Sequence, residues 1–199
     1  IFHSDDWIKI TKKHFGRNVK SFFFDGDKGK FNLNYFSRKK LFFRSILSPV
    51  PGSFAAYGGP LYHNKEDLSL ILSAIDSCNY SLVRFILPPF SDIDIFIKFG
   101  YERRILETIL IDLTLGKEAL WSGIERSRRK RINKASRTLK IIDDPRGEHI
   151  SLYIDLLSVT LPKKFFQYVI SHKDFFIDVV RVFGEKGALK FLLAENERK

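Results

Sequence analysis

Residues 121–137 hold the densest chemistry in the 199-residue chain, with arginine or lysine at seven positions between Arg126 and Arg137. At ~100° per residue on a helix, Leu120, Trp121, Ile124, Ile132 and Ala135 share one stripe, and Arg126, Arg129, Lys130, Asn133 and Arg137 share another. Guanidinium groups on one face can grip phosphate or carboxylate. Arg128 and Arg131 fall inside the apolar stripe, where each needs an anionic or carbonyl partner or must run its stem out to water. A solvated basic face would carry the same residues, so Arg128 and Arg129 enter as candidate substrate contacts.

Two other segments offer polar groups at breaks in the chain. In Tyr57-Gly58-Gly59-Pro60-Leu61-Tyr62-His63, paired glycines would let a ligand approach the backbone closely, while Tyr57, Tyr62 and His63 supply hydroxyl and imidazole groups. An ordinary turn with surface aromatics would read the same way. Thr160-Leu161-Pro162-Lys163-Lys164 falls at a helix end, with Tyr168 a turn further on. Its two ammonium groups could hold a phosphate or carboxylate beside a hydroxyl, or simply be solvated.

Other chemistries find no support. The five histidines form no HxxxH or HxH pair, which argues against a histidine-rich metal site. The single cysteine, Cys78, rules out an internal disulfide and the usual thiolate sites. There is no GxSxG elbow, P-loop or dinucleotide fingerprint. Arg181-Val182-Phe183-Gly184-Glu185-Lys186-Gly187 has glycines near those of a pyrophosphate loop, but a strand follows where a helix should begin, so it reads as a helix stop and turn.

The elements that must position these groups follow from hydrophobic period and punctuation. Ser4 with Asp5 and Asp6 begins a helix that Gly16 ends; 19–24 and 31–36 form a hairpin about turn chemistry at 25–30, and 41–47 adds a strand. Asn64 caps a helix to about Cys78 with Leu68, Ile71, Leu72 and Ile75 on one face; 81–87 reads as a strand buried on both sides. A short helix over 91–99 leads to a long strand over 101–113. A helix over 117–137 broken at Gly123, a strand over 139–142, helices over 149–161 and 165–183 with a break near Ser171-His172, and a strand over 188–194 complete the order. Mixed alternation of this kind gives an α/β class, a mixed sheet flanked by helices. Residues 1–113 read as one domain and 114–199 as the start of a second, a weak internal repeat.

Composition sets outer bounds. With 44% hydrophobic and 29% charged residues the chain should pack a core, and 20 phenylalanines dominate its aromatics. No apolar run approaches the ~18 residues of a membrane span, and 1–10 does not read as a signal peptide, so a cytoplasmic protein is expected. A net charge of +11 favours phosphates, nucleic acid or peripheral contact with anionic lipid. The absence of methionine, the opening Ile1-Phe2-His3-Ser4 and a final strand without an evident partner read as part of a longer chain, roughly its first two thirds.

Taken in order, the Trp7 helix, Tyr57-Gly58-Gly59-Pro60-Leu61, Leu110-Ile111-Asp112-Leu113 and Arg129-Lys130-Arg131-Ile132-Asn133-Lys134-Ala135 resemble the Fem-type transferases. Leu152-Tyr153, Thr160 and Lys163-Lys164 continue the resemblance towards the last strand. Asn133 and Pro162 stand where that family favours arginine. The resemblance implies twin acetyltransferase-like (GNAT) domains and transfer of an acyl or aminoacyl group to an amine acceptor, such as a cell-envelope precursor. It implies aminoacyl-tRNA or acyl-CoA as donor, no tightly bound cofactor and no metal. Tyr57, Gly59, Tyr62, Arg128, Arg129, Thr160, Lys163 and Lys164 become its substrate-binding candidates, with the catalytic groups unidentified and expected further along the parent chain, so this stretch alone would be inactive. A basic nucleic-acid-binding module and a catalytically inactive scaffold of the same fold are the alternatives.

Overall fold

The computed structural model describes residues 1–26 and 29–196, the side chains of 24–31 excepted. Helix α1 (Asp5–Phe15) begins where the Ser4 side chain accepts a hydrogen bond from the Trp7 N–H at 3.3 Å. Asp5 and Asp6 in its first turn and Lys12, Lys13 and His14 in its last complement the helix dipole. Gly16, at φ 75°, turns the chain out of the helix. Strands β1 (Val19–Gly26) and β2 (Gly29–Lys40) pair antiparallel from Val19↔Phe36 to Gly26↔Gly29. Asp27 and Lys28 of the expected turn lie outside the described residues, as do Glu197, Arg198 and Lys199 of the tail.

The far edge of β2 is shared. Strand β3 (Phe43–Ser48) takes its second half and β4 (Gly59–Tyr62) its first, both antiparallel. After helix α2 (Lys65–Asp76), β5 (Leu82–Phe85) adds parallel to β3, which makes the sheet mixed. Asn64 caps α2 by accepting from the Asp67 N–H at 2.8 Å. Because side chains alternate along a strand, Leu33 joins Ile46, Ile71 and Ile75 on the α2 face, while Asn32 and Asn34 turn to the α1 side. Short helix α3 (Asp94–Lys98) closes the α2 layer with Ile95 and Phe96 against Leu68 and Leu72.

The second half runs α4 (Gly116–Gly123), α5 (Arg126–Ala135), β6 (Leu139–Asp143), α6 (Ile150–Thr160), α7 (Lys163–Ser171), α8 (Lys173–Glu185) and β7 (Leu192–Asn196). Strands β6 and β7 pair antiparallel, so the last strand has the partner that the sequence did not reveal. Helix α8 packs on α1. Trp7 and Ile10 form one buried cluster with Phe175 and Phe183, crossing the boundary expected at 113/114. Lys186 pairs with Asp6 at one end of this contact, and Lys13 and His14 meet Asp178 at 2.6 and 2.7 Å at the other.

Three expectations are corrected. Residues 101–112 contain no strand, because among the described residues no neighbouring chain supplies the hydrogen bonds that define one. Strand β5 is not buried on both sides: Leu82 and Arg84 are exposed while Val83 and Phe85 are half-buried. Among the described residues helices α4 and α5 fully bury none of their own, so their apolar stripe is only partly covered: Leu120, Ile124 and Ala135 are half-buried, while Ile132 remains 44% exposed.

Candidate functional site

The 49–58 loop is pressed onto the sheet by its glycines. Gly58 N–H donates to the Ile86 carbonyl at 2.6 Å, and Gly59 N–H donates to Ser48 Oγ at 2.9 Å. Ser48 Oγ in turn donates to the Asn34 carbonyl at 2.6 Å. A Cβ on Gly58 would lie 2.7 Å from both Pro49 N and Ser48 Oγ. One on Gly59, at φ 102°, would lie 2.6 Å from Leu87 Cδ2. The close approach that the glycine pair permits is therefore to the protein itself, and both backbone N–H groups are already used.

Beneath this loop lies an enclosed recess of about 10 Å³ lined by His3, Asn34, Ser48 and Tyr57 and the rings of Phe2 and Trp7. Its volume suits one group the size of a water or an ammonium head. Asn34, 6% exposed, donates its amide N–H to the Phe2 carbonyl at 3.3 Å, leaving buried Oδ1 without a hydrogen-bond partner among the described residues. His3 Nδ1 is likewise buried and unpaired, and burial pushes the imidazole pKa below its usual value of 6.5. The neutral ring can accept a hydrogen bond at neutral pH. Phe2 meets Trp7 edge-on at 5.0 Å and Tyr57 at 5.5 Å, so π faces and edges surround the two acceptors.

Two positions along β2, about 7 Å for an extended strand, Asn32 donates to the His3 carbonyl at 3.2 Å and also leaves its Oδ1 unpaired. Here an open groove of about 290 Å³ runs between α1 and β1, lined by Lys9, Lys12, Asp5, Ile8, Ser21 and Asn32, with Phe23 at its edge. The two asparagines thus give one strand face a small aromatic recess beside a larger groove bearing two lysines.

Of the sequence candidates, Tyr57 alone lines this recess. Tyr62 packs on the opposite, α2 face of the sheet, where burial first and then the Asp92 charge raise its pKa. Tyr168 belongs to the wall behind the loop: its hydroxyl fills the place a Gly52 side chain would take, and its ring stacks on His172 at 4.3 Å. That contact brings the 49–58 loop against α7, but turns the hydroxyl away from service to Lys163 and Lys164. Both lysines are exposed in the first turn of α7, and Thr160 donates back to the Leu156 carbonyl of its own helix. Arg129 donates to the Trp121 and Ser122 carbonyls at 3.3 and 2.9 Å, capping α4 across the Gly123 break. Among the described residues Arg128 has only a long ion pair with Glu125, at 3.9 Å.

Sequence reasoning missed His3, Asn34, Asn32, Lys9 and Lys12. The only advance signal was Asn32 and Asn34 alternating with Phe31, Leu33 and Tyr35, a pattern that also describes a solvent face. Among the described residues no cluster of His, Cys, Asp and Glu could hold a metal ion, and no helix is long and apolar enough to cross a membrane. The chain matches no known family model, no curated protein and no solved structure.

Proposed function

We propose that the chain is the acceptor-binding part of an acyl or aminoacyl transferase with an acetyltransferase-like layer arrangement, resembling the Fem type, and that its acceptor is a primary amine. The observation that carries this reading is that His3 and Asn34, whose Nδ1 and Oδ1 are buried and have no hydrogen-bond partner among the described residues, both line an aromatic recess the size of an ammonium group. A buried acceptor left unpaired costs about 1–3 kcal/mol. An ammonium has donors enough for both atoms, and the rings of Phe2, Trp7 and Tyr57 favour a cation. The α/β mixed sheet is compatible with this fold.

An ammonium cannot attack, so a proton must leave first. The proton passes to solvent; His3, held neutral by burial, accepts a hydrogen bond from the amine at Nδ1, and Asn34 Oδ1 orients the freed amine. The amine lone pair then attacks the acyl carbon of the donor, an amide bond forms, and the donor's ester or thioester bond breaks, its oxygen or sulfur leaving with a proton. No covalent enzyme intermediate is required; positioning supplies much of the rate. Lys9 and Lys12 give the adjoining groove the charge to hold an anionic part of acceptor or donor.

The test is transfer by the intact parent protein from acyl-CoA and aminoacyl-tRNA donors to a panel of primary amines, with a transferring wild type compared with His3→Phe and Asn34→Leu. Both variants should lose more than tenfold in kcat/KM while α5 variants keep the amine dependence. Equal rates in all three proteins would refute the assignment. A second reading, a nucleic-acid-binding module, draws on the exposed cations of α5. Binding of unrelated DNA and RNA with equal affinity and a steep salt dependence would favour it.

A further inference from the structure

We propose that residues 104–112 form an antiparallel strand pair with the same residues of a second copy of this chain, about a twofold axis at Thr108. From Tyr101 to Asp112 the backbone makes no helix, strand, turn or bend, so it runs straight. Residues 102–111 make no backbone hydrogen bond among the described residues, and all are exposed. Ile105 is 68% exposed, Ile109 90% and Ile111 67%. A straight run of unpaired N–H and C=O groups carrying apolar side chains is a template for strand addition.

The charges select the occupant and the register. Odd positions Ile105, Ile109, Ile111 and Leu113 share one side with Glu107; even positions Arg104, Leu106, Thr108, Leu110 and Asp112 share the other. A self-pairing that keeps the two sides distinct must pair odd with odd and even with even. Centred on Thr108, it sets Arg104 opposite Asp112 at both ends, Ile105 opposite Ile111, Leu106 opposite Leu110, and Thr108 opposite itself; Glu107 opposite Ile109 is the one unmatched pair between these ends. Opposite charges, matched aliphatics and a Thr–Thr pair are each favourable across strands. Centred one residue earlier, it would set Glu102 against Asp112 and Glu107 against itself. Asp112 is already oriented, its Oδ1 accepting from the Thr114 N–H at 2.9 Å and the Thr114 hydroxyl at 2.6 Å.

Analytical ultracentrifugation of the wild-type chain should show a concentration-dependent monomer–dimer equilibrium. Arg104→Glu should shift it at least tenfold towards monomer, and Arg104→Glu with Asp112→Arg should restore it. Both positions are exposed, and circular dichroism should confirm an unchanged fold. In a Cys78→Ser background with an added oxidant, Thr108→Cys should cross-link copies, because directly opposed Cα atoms lie ~4.5–5.5 Å apart. Leu106→Cys should not, its neighbour across the pair being Leu110. A monomer at every concentration would leave this edge to a strand of another protein and overturn the proposal, as would equal cross-linking at 106 and 108.

Discussion

Gly58→Ala adds a single methyl group and should nevertheless unsettle the whole recess. The new Cβ would sit 2.7 Å from Pro49 N, 2.7 Å from Ser48 Oγ and 2.9 Å from Pro49 Cα. Two of these are backbone atoms, so relief cannot come from a flexible side-chain tip. Ser48 Oγ is itself fixed between the Asn34 carbonyl and the Gly59 N–H, and moving it weakens both bonds. Overpacking costs about 1–3 kcal/mol and each hydrogen bond about 0.5–1.5, offset by about 0.4–1 from the less flexible unfolded chain. A net loss of about 2–3 kcal/mol follows, a fall in Tm of roughly 4–12 °C at ~2–4 °C per kcal/mol. Urea denaturation followed by tryptophan fluorescence suits the measurement, since Trp7 lines the recess. Gly123→Ala is the control, with no atom within 4 Å of its Cβ, and should be neutral or slightly stabilising. A Gly58→Ala chain as stable as wild type would refute the reasoning.

Phe175, 1% exposed and edge-on to both Trp7 and Phe15, anchors α8 to α1; Phe175→Ala should cost about 3–5 kcal/mol by chemical denaturation, and the 49–58 loop should become susceptible to protease. Burial raises the Asp144 carboxyl pKa, but hydrogen bonds from the His149 and Glu148 N–H groups and the His149 ring outweigh it, leaving the carboxyl below its usual 3.8. Its contribution to stability is therefore complete above about pH 4 and lost as pH falls through the lower folded value; Asp144→Asn should flatten that acid limb in pH-dependent urea melts. His3 behaves oppositely in position: its folded pKa lies below 6.5, so stability should rise with pH between the folded value and 6.5, and His3→Gln should abolish the rise.

What could be read in advance was local. Ser4 and Gly16 bracket α1, Asn64 caps α2, and the Leu68–Ile71–Leu72–Ile75 face is buried as its spacing requires. Each of these rests on residues within a few positions of one another. The pairing of β7 with β6 and the seating of α8 on α1, through contacts such as Lys13–Asp178, join distant parts of the chain and leave no periodic mark. Residues 101–112 have strand composition but no pairing partner among the described residues, and composition cannot report that. The recess shows the same limit: Tyr57 was legible beside its glycines, whereas His3, Asn34 and Ser48 converge on it only through the sheet.

The central claim is that the recess takes a primary ammonium group. Side-chain NMR of His3 and Asn34 during titration with methylammonium and then tetramethylammonium tests it most directly. Methylammonium should give saturable shifts of the His3 ring nitrogens and the Asn34 amide, and the bulkier cation, which the 10 Å³ recess excludes, should give none. No shift with methylammonium, or the same shift with both, would contradict it.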